Sequence, residues 1–128
     1  GWCVGAAPQA ETALTAPVNA LERDEDANGV WRRYANEWLR AEYAEVFHLI
    51  DRLVMLRAPD METILANRLE QERKLRAARP SGEGVMDDAA VVRFVQFYER
   101  LTRHMLAEMP ARADAVYDLA GLRQIQDG

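Results

Sequence analysis

Lysine is almost absent from this chain. Of 16 basic residues only Lys74 is a lysine, and the others are arginine. Lys74 stands in a stretch of helical character with no flanking glycine. The phosphate-cradling GxxxxGK[ST] loop therefore cannot lie within these residues. GxSxG, HExxH and CxxC are missing too, which removes the signatures of a serine hydrolase, a zincin and a dithiol redox site. Cys3 is the single cysteine, so there is no internal disulfide and no multi-cysteine zinc site. That fits a reducing, cytoplasmic setting. No run approaches the ~20 apolar residues of a membrane span, and no basic segment leads into an apolar one at the start. Neither a membrane nor a signal peptide is expected. With a net charge of −5 and a pI near 5.1, general nucleic-acid binding is disfavoured, since it needs a broad basic surface.

What is present suits one globular domain: 128 residues, 49% hydrophobic and 29% charged. Its organising stretch is residues 52–79. Residues 53–56, Leu-Val-Met-Leu, are a short apolar run that suits a strand covered on both faces. Pro59 holds Ala58 extended, and Asp60 is placed to cap a following helix. Met61, Ile64, Leu65 and Leu69 share one helical face, with Leu75 further along. From Arg68 the composition turns basic. Arg68, Arg73, Lys74, Arg76 and Arg79 face only Glu70 and Glu72, on a chain that is acidic overall. A cationic helix on an acidic protein suggests an anionic ligand. The plainer reading is a solvated face with i,i+4 pairs such as Glu70–Lys74 and Glu72–Arg76.

Residues 1–29 show little periodicity, and residues 21–29 read as an acidic loop ending in the turn Asn28-Gly29. Residues 30–50 read as helix. Trp31, Tyr34, Ala35 and Trp38 form one stripe; Leu39, Tyr43, Val46, Phe47 and Ile50 form another, shifted near residues 40–42. The shift implies either one helix wrapped on two sides or two helices with a bend. The aromatics, at helical spacing, are expected in the core, and His48 in the core or at its rim. Residues 79–84 are a breaker-rich loop. Asp87 or Asp88 caps the next helix, residues 89–109. Its apolar face holds Val91, Phe94, Val95, Tyr98, Leu101, Thr102 and Met105. Arg93, Gln96, Glu99, Arg100, Arg103 and Glu108 form the polar face, with His104 on that side. Asp24, Asp26, Asp87 and Asp88 read as loop and cap residues rather than catalytic pairs. Residues 114–119 read as a second strand ended by Gly121, with a tail from 122 to 128.

Two strands joined by helices imply a parallel pair, and two strands cannot cover their own faces and edges. The expected fold is α/β: mostly helical, about two parallel strands, and a sheet that upstream sequence or a partner completes.

Several blocks carry a resemblance. Gly1-Trp2-Cys3-Val4-Gly5-Ala6, Pro17-Val18-Asn19-Ala20-Leu21-Glu22 and Trp31-Arg32-Arg33-Tyr34-Ala35-Asn36 come first. Leu53-Val54-Met55-Leu56-Arg57-Ala58-Pro59-Asp60, Arg68-Leu69-Glu70-Gln71-Glu72 and Met86-Asp87-Asp88 follow. Phe94-Val95-Gln96-Phe97-Tyr98-Glu99-Arg100-Leu101-Thr102-Arg103 and Met109-Pro110-Ala111-Arg112-Ala113-Asp114 close the series. In this order and spacing they resemble the glycerate-kinase-like P-loop kinases, a family of D-glycerate 3-kinases and related bacterial kinases. The resemblance implies the C-terminal part of a P-loop kinase fold. Residues 1–29 would be the substrate-side loop region, 30–50 a helical region, 52–79 a strand plus lid helix, and 87–120 a long helix and last strand. It implies ATP and Mg²⁺, with the P-loop and the acid of the Walker B strand upstream of Gly1, in the N-terminal half of the same fold.

By the same resemblance Arg68 is the lid arginine that closes on nucleotide phosphates, with Arg73, Lys74 and Arg76 as further phosphate contacts. Trp2 and Asn19 fall on the acceptor side. The chain departs from the family pattern at Ala66 and Asn67, where Arg and Trp are usual in the lid, and at Ala120, where Asp is usual. The implied function is part of an ATP-dependent kinase that phosphorylates a small, glycerate-like hydroxyl compound and is inactive without its other half. The alternative is a non-enzymatic helical module that binds a protein partner.

Overall fold

The computed structural model describes residues 2–79, 82 and 84–119. In chain order the elements are α1 (Ala20–Glu25), α2 (Val30–Arg40), α3 (Glu42–Phe47), β1 (Val54–Arg57), α4 (Met61–Ala78), α5 (Asp88–Glu108) and β2 (Ala115–Asp118), with short 3-10 turns at Glu11–Leu14 and Met109–Ala111. The expected end at Gly121 and the tail lie outside the described residues, as does much of the loop at 79–84.

β1 and β2 pair in parallel, Val54 opposite Ala115 and Leu56 opposite Tyr117. The chain is thus mostly helical with a two-stranded, incomplete parallel sheet, as the strand count implied. Asp114 pins the start of the ladder by accepting a hydrogen bond from the Leu53 amide at 2.7 Å. Arg57 and Asp118 close the far end with bonds of 2.5 and 2.9 Å. Coverage differs from the expectation. Met55 is buried, but Val54, Leu56 and Tyr117 are exposed. One face of the sheet is covered and the other stands open. The apolar run is read correctly as a strand; the second layer it calls for is not supplied by the described residues.

The core sits between α4 and α5, where Met61, Val91 and Val95 are buried and Ile64, Leu65, Leu69 and Met86 pack on them. Both helices are capped by aspartate. Asp60 accepts from the Thr63 amide and Asp87 from the Ala90 amide, each at 2.7 Å. Leu75, placed on the same stripe by periodicity, is exposed.

Two readings of the first fifty residues are corrected. Residues 20–25 are helical rather than loop. Asn19 caps α1 by accepting from the Glu22 amide at 3.0 Å, and a six-residue helix has too few turns for a periodic signal. The second correction concerns α2. The break at Ala41 divides α2 from α3, as one of the two readings allowed. However, α2 buries Arg32, Asn36 and Leu39 and exposes Trp31, Tyr34 and Trp38. Tyr43, Val46 and His48 on and after α3 are exposed as well. The aromatics are not core. They form a surface ladder, Trp31–Tyr34–Trp38–Tyr43–Phe47, with successive ring centroids 5.6–6.2 Å apart. Gly29 starts α2 with φ of 72°, and a Cβ there would lie 2.5 Å from Arg33 Nη1 and 3.1 Å from Arg32 Cζ.

Candidate functional site

α5 is the spine on which the expected site residues gather. The Trp2 indole N–H donates to Thr102 Oγ1 at 2.8 Å, and its ring lies 4.9 Å from that of Tyr98. Tyr98 meets Phe94 at 5.1 Å. The Arg68 guanidinium lies over Phe94, 5.7 Å from the ring centroid. Residues 94, 98 and 102 recur every four positions and so share one helical face. That face brings together Arg68 from the phosphate-side set and Trp2 from the acceptor-side set, 66 positions apart in sequence.

Asn19 is nearby but fully engaged. Its Nδ2 donates to the Gln96 carbonyl and to Glu99 Oε2, both at 2.9 Å, while its Oδ1 caps α1. Asn19 thus docks α1 on α5, with both Nδ2 hydrogens and one of the two Oδ1 lone pairs committed to the fold.

The basic residues of α4 are all paired. Arg68 bonds Glu72 at 2.6 Å and Gln71 at 3.1 Å. Arg73 and Arg76 both reach Asp88 at the start of α5, at 2.7 and 2.6 Å. These two guanidiniums hold the Asp88 carboxyl below its ordinary value, Arg73 contributing first. Lys74 bonds Glu70 at 2.6 Å and lowers its pKa. The Glu70–Lys74 pair matches the sequence reading; Glu72–Arg76 does not form. Glu72 instead turns inward, with a side chain 5% exposed, and its Oε2 is buried without a partner among the described residues. An anion reaching these cations would compete with carboxylates already in place, and Arg68 alone of the four also stacks on an aromatic ring.

A second constellation had no sequence signal of function. Arg100, assigned to the polar face of α5, is buried. It forms a bidentate pair with Glu22 at 2.8 Å through Nε and Nη2, and donates to the carbonyls of Ala13 and Ala16 at 2.8 and 2.6 Å. Arg32 does likewise on α2, donating to the carbonyls of Leu14 (2.6 Å), Thr15 (3.2 Å) and Asp26 (2.6 Å). Asn36 exchanges two bonds with the Gln9 backbone at 2.7 and 3.0 Å. Together these three side chains bond the Gln9 backbone and the carbonyls of residues 13–16, in and around the 3-10 turn at Glu11–Leu14. Burial pushes the Glu22 carboxyl up, but the Arg100 pair and the Val18 amide outweigh it and leave it below the ordinary value. Asp26 behaves alike: burial raises it, while the Trp31 and Arg32 amides and the Arg32 guanidinium bring it down. The only advance sign was the regular spacing of Arg32 and Asn36, one turn apart on the face opposite the aromatics.

Between α1, α2 and α5 lies a cavity of about 490 Å³. Leu21, Leu39, Ala35, Trp31 and Tyr34 line it from α1 and α2, and Phe97 and Leu101 from α5. His104, expected on the polar side, is half-buried, and its Nε2 has no partner among the described residues. No group of three or more His, Cys, Asp or Glu side chains suited to a metal occurs among them. No helix among them is long and apolar enough to cross a membrane. Comparison of the chain with protein-family models, with curated proteins and with solved structures finds no match.

Proposed function

We propose that this chain is the lid-bearing part of an ATP-dependent small-molecule kinase, working together with a P-loop-bearing half of the same fold. The observation that carries the reading is the open parallel sheet. Two parallel strands joined through α4 and α5 present Val54, Leu56 and Tyr117 outward, an arrangement that calls for further covering structure. α4, with its four candidate cations, starts four residues after the C-terminal end of β1. Open α/β sheets bind their ligands beyond the carboxyl ends of their strands.

In this reading Arg68 swings from Glu72 onto the transferring phosphoryl group, where a guanidinium offsets the charge spread over its oxygens. Arg73, Lys74 and Arg76 add positive potential once released from Asp88 and Glu70. Trp2 borders the acceptor hydroxyl compound. Asn19 holds the acceptor-side loop to α5 rather than touching the acceptor. In this reading the P-loop-bearing half would hold the Mg²⁺ ion and most of the nucleotide, and the cations of α4 would meet only its phosphates.

The test is ATP-dependent phosphorylation of D-glycerate by the complete gene product and by its Arg68→Ala variant. The reading expects turnover to fall about 10²-fold or more with helical content unchanged. Residues 1–128 alone are expected to transfer no phosphate from ATP. Turnover by that chain alone, or an Arg68→Ala variant as active as the parent, would overturn it.

A second reading has its own observation. The exposed ladder from Trp31 to Phe47 favours a helical module that binds a protein partner, because such apolar area is seldom left open on a lone domain. Under it, Arg68→Ala changes little, while Trp31→Ala with Tyr34→Ala abolishes capture of the partner.

A further inference from the structure

The cavity between α1, α2 and α5 is built unlike either surface just described. Its volume of about 490 Å³ falls within the ~300–1,000 Å³ of small-molecule sites, which are concave and mainly apolar with a few polar groups. Its charged lining groups are closed in pairs. Glu22 meets Arg100 at 2.8 Å, Asp26 meets Arg32 at 3.4 Å, and Glu25 meets Arg93. Each of the three carboxylates in the wall is thus matched by a guanidinium, two of them in the wall itself and the third, Arg93, outside the lining. Arg32 and Arg100 spend further donors on the backbone carbonyls of residues 13–16 and 26, and Arg93 lies over the Phe97 ring, 5.4 Å from its centroid. A charged guest would therefore lose water without finding a counter-ion. What is left for recognition is apolar and aromatic surface from α2 and α5, with the neutral carboxamides of Gln9, Asn36 and Gln96 in the lining.

The geometry points to a binding site for an uncharged, ring-bearing small molecule, stacked between the aromatic wall of α2 and Phe97 of α5. The site does not depend on the kinase reading, since neither Arg68 nor the open sheet enters it. It shares Trp31 and Tyr34 with the ladder along α2 and α3, whereas Trp38, Tyr43 and Phe47 of that ladder lie outside the cavity lining.

The test uses two probes that differ in one charge. Neutral N-phenyl-1-naphthylamine is titrated into the 128-residue chain and followed by its fluorescence, beside its 8-sulfonate analogue. One saturable equivalent of the neutral probe is expected, with the sulfonate binding at least tenfold more weakly. Ala35→Trp and Leu101→Trp, which fill the cavity from opposite sides, should each weaken the neutral probe at least tenfold. Tyr43→Ser, on the ladder but outside the cavity, should stay within twofold of the parent. Should the filled variants not fold, methyl NMR of the unaltered chain decides. Shifts gathered at Leu21, Leu39 and Leu101 support the site; shifts gathered at Val54 and Leu56 overturn it. Equal binding of the sulfonate, no saturable binding of the neutral probe, parent-like affinity in a folded filled variant, or loss of binding in Tyr43→Ser would also overturn it.

Discussion

α5 and α2 are both amphipathic, and they turn opposite stripes inward. α5 buries Val91 and Val95 against α4. α2 buries Arg32 and Asn36 and leaves Trp31, Tyr34 and Trp38 to solvent. The difference lies in what each helix packs on. Around Val91 and Val95 α5 meets another helix whose backbone is already satisfied, so apolar contact decides the orientation there, and only further along does it bury Arg100 against Glu22 and the Ala13 and Ala16 carbonyls. α2 meets the short 3-10 turn at Glu11–Leu14 and its flanks, where the carbonyls of Gln9, Leu14 and Thr15 need donors. Arg32 and Asn36 supply them, and an unmade buried bond costs more than exposed aromatic area. Periodicity finds both helices but is silent on which stripe faces in.

The contrast can be broken most severely at the polar clamp. Arg100→Met leaves Glu22, whose side chain is 12% exposed, without its counter-charge. The loss should be about 3 kcal/mol in urea unfolding. Val91→Ala, at a fully buried position, should cost about 2 kcal/mol from lost transfer energy and the void it leaves. Gly29→Ala, which forces a side chain into a left-handed turn against two arginines, should cost about 1 kcal/mol. If it were neutral, the start of α2 would not be fixed as described.

Acid sharpens the comparison without mutation. Glu22 and Asp26 have native values lowered from 4.5 and 3.8. Their stabilisation is complete above those ordinary values and disappears as pH falls through the lowered ones. Thermal melting should drop steeply below about pH 4, and Arg100→Met should flatten the Glu22 part of that fall. The smallest effect belongs to the exposed stripe. Trp38→Ala should change stability by no more than about 0.5 kcal/mol, against the larger loss from the smaller side chain at Val91. Equal losses at the two positions would show that α2 is not oriented with its aromatics outward.

Much of the architecture was legible in the sequence. Pro59-Asp60 placed the start of α4, the pair Asp87-Asp88 the start of α5 to within one residue, and the apolar run at 53–56 a strand paired with one read at 114–119. These signals are local. The misses were all decided at long range. α1 is capped locally by Asn19, but it is held on α5 by the bonds of that side chain to Gln96 and Glu99. Arg100 and Arg32 are buried because carbonyls far away in sequence require them. Of the candidate site, the cations of α4 were visible as composition. Their pairing to Asp88, the inward turn of Glu72 and the line from Arg68 through Phe94 and Tyr98 to Trp2 required the fold.

The clamp on residues 13–16 also fixes an order of events. Arg100 closes contacts across 78, 84 and 87 residues, so the segment it holds cannot settle when it is first made. Synthesis proceeds at about 5–20 residues per second. For several seconds the Ala13 and Ala16 carbonyls therefore wait, bonded to water, until α5 has been made, whereas Arg32 can reach the Leu14 and Thr15 carbonyls as soon as α2 exists. Closure of so long a loop carries an entropic cost that is paid before its contacts form. Refolding of this chain should therefore be limited by the docking of its first thirty residues, long after α4 and α5 have found each other.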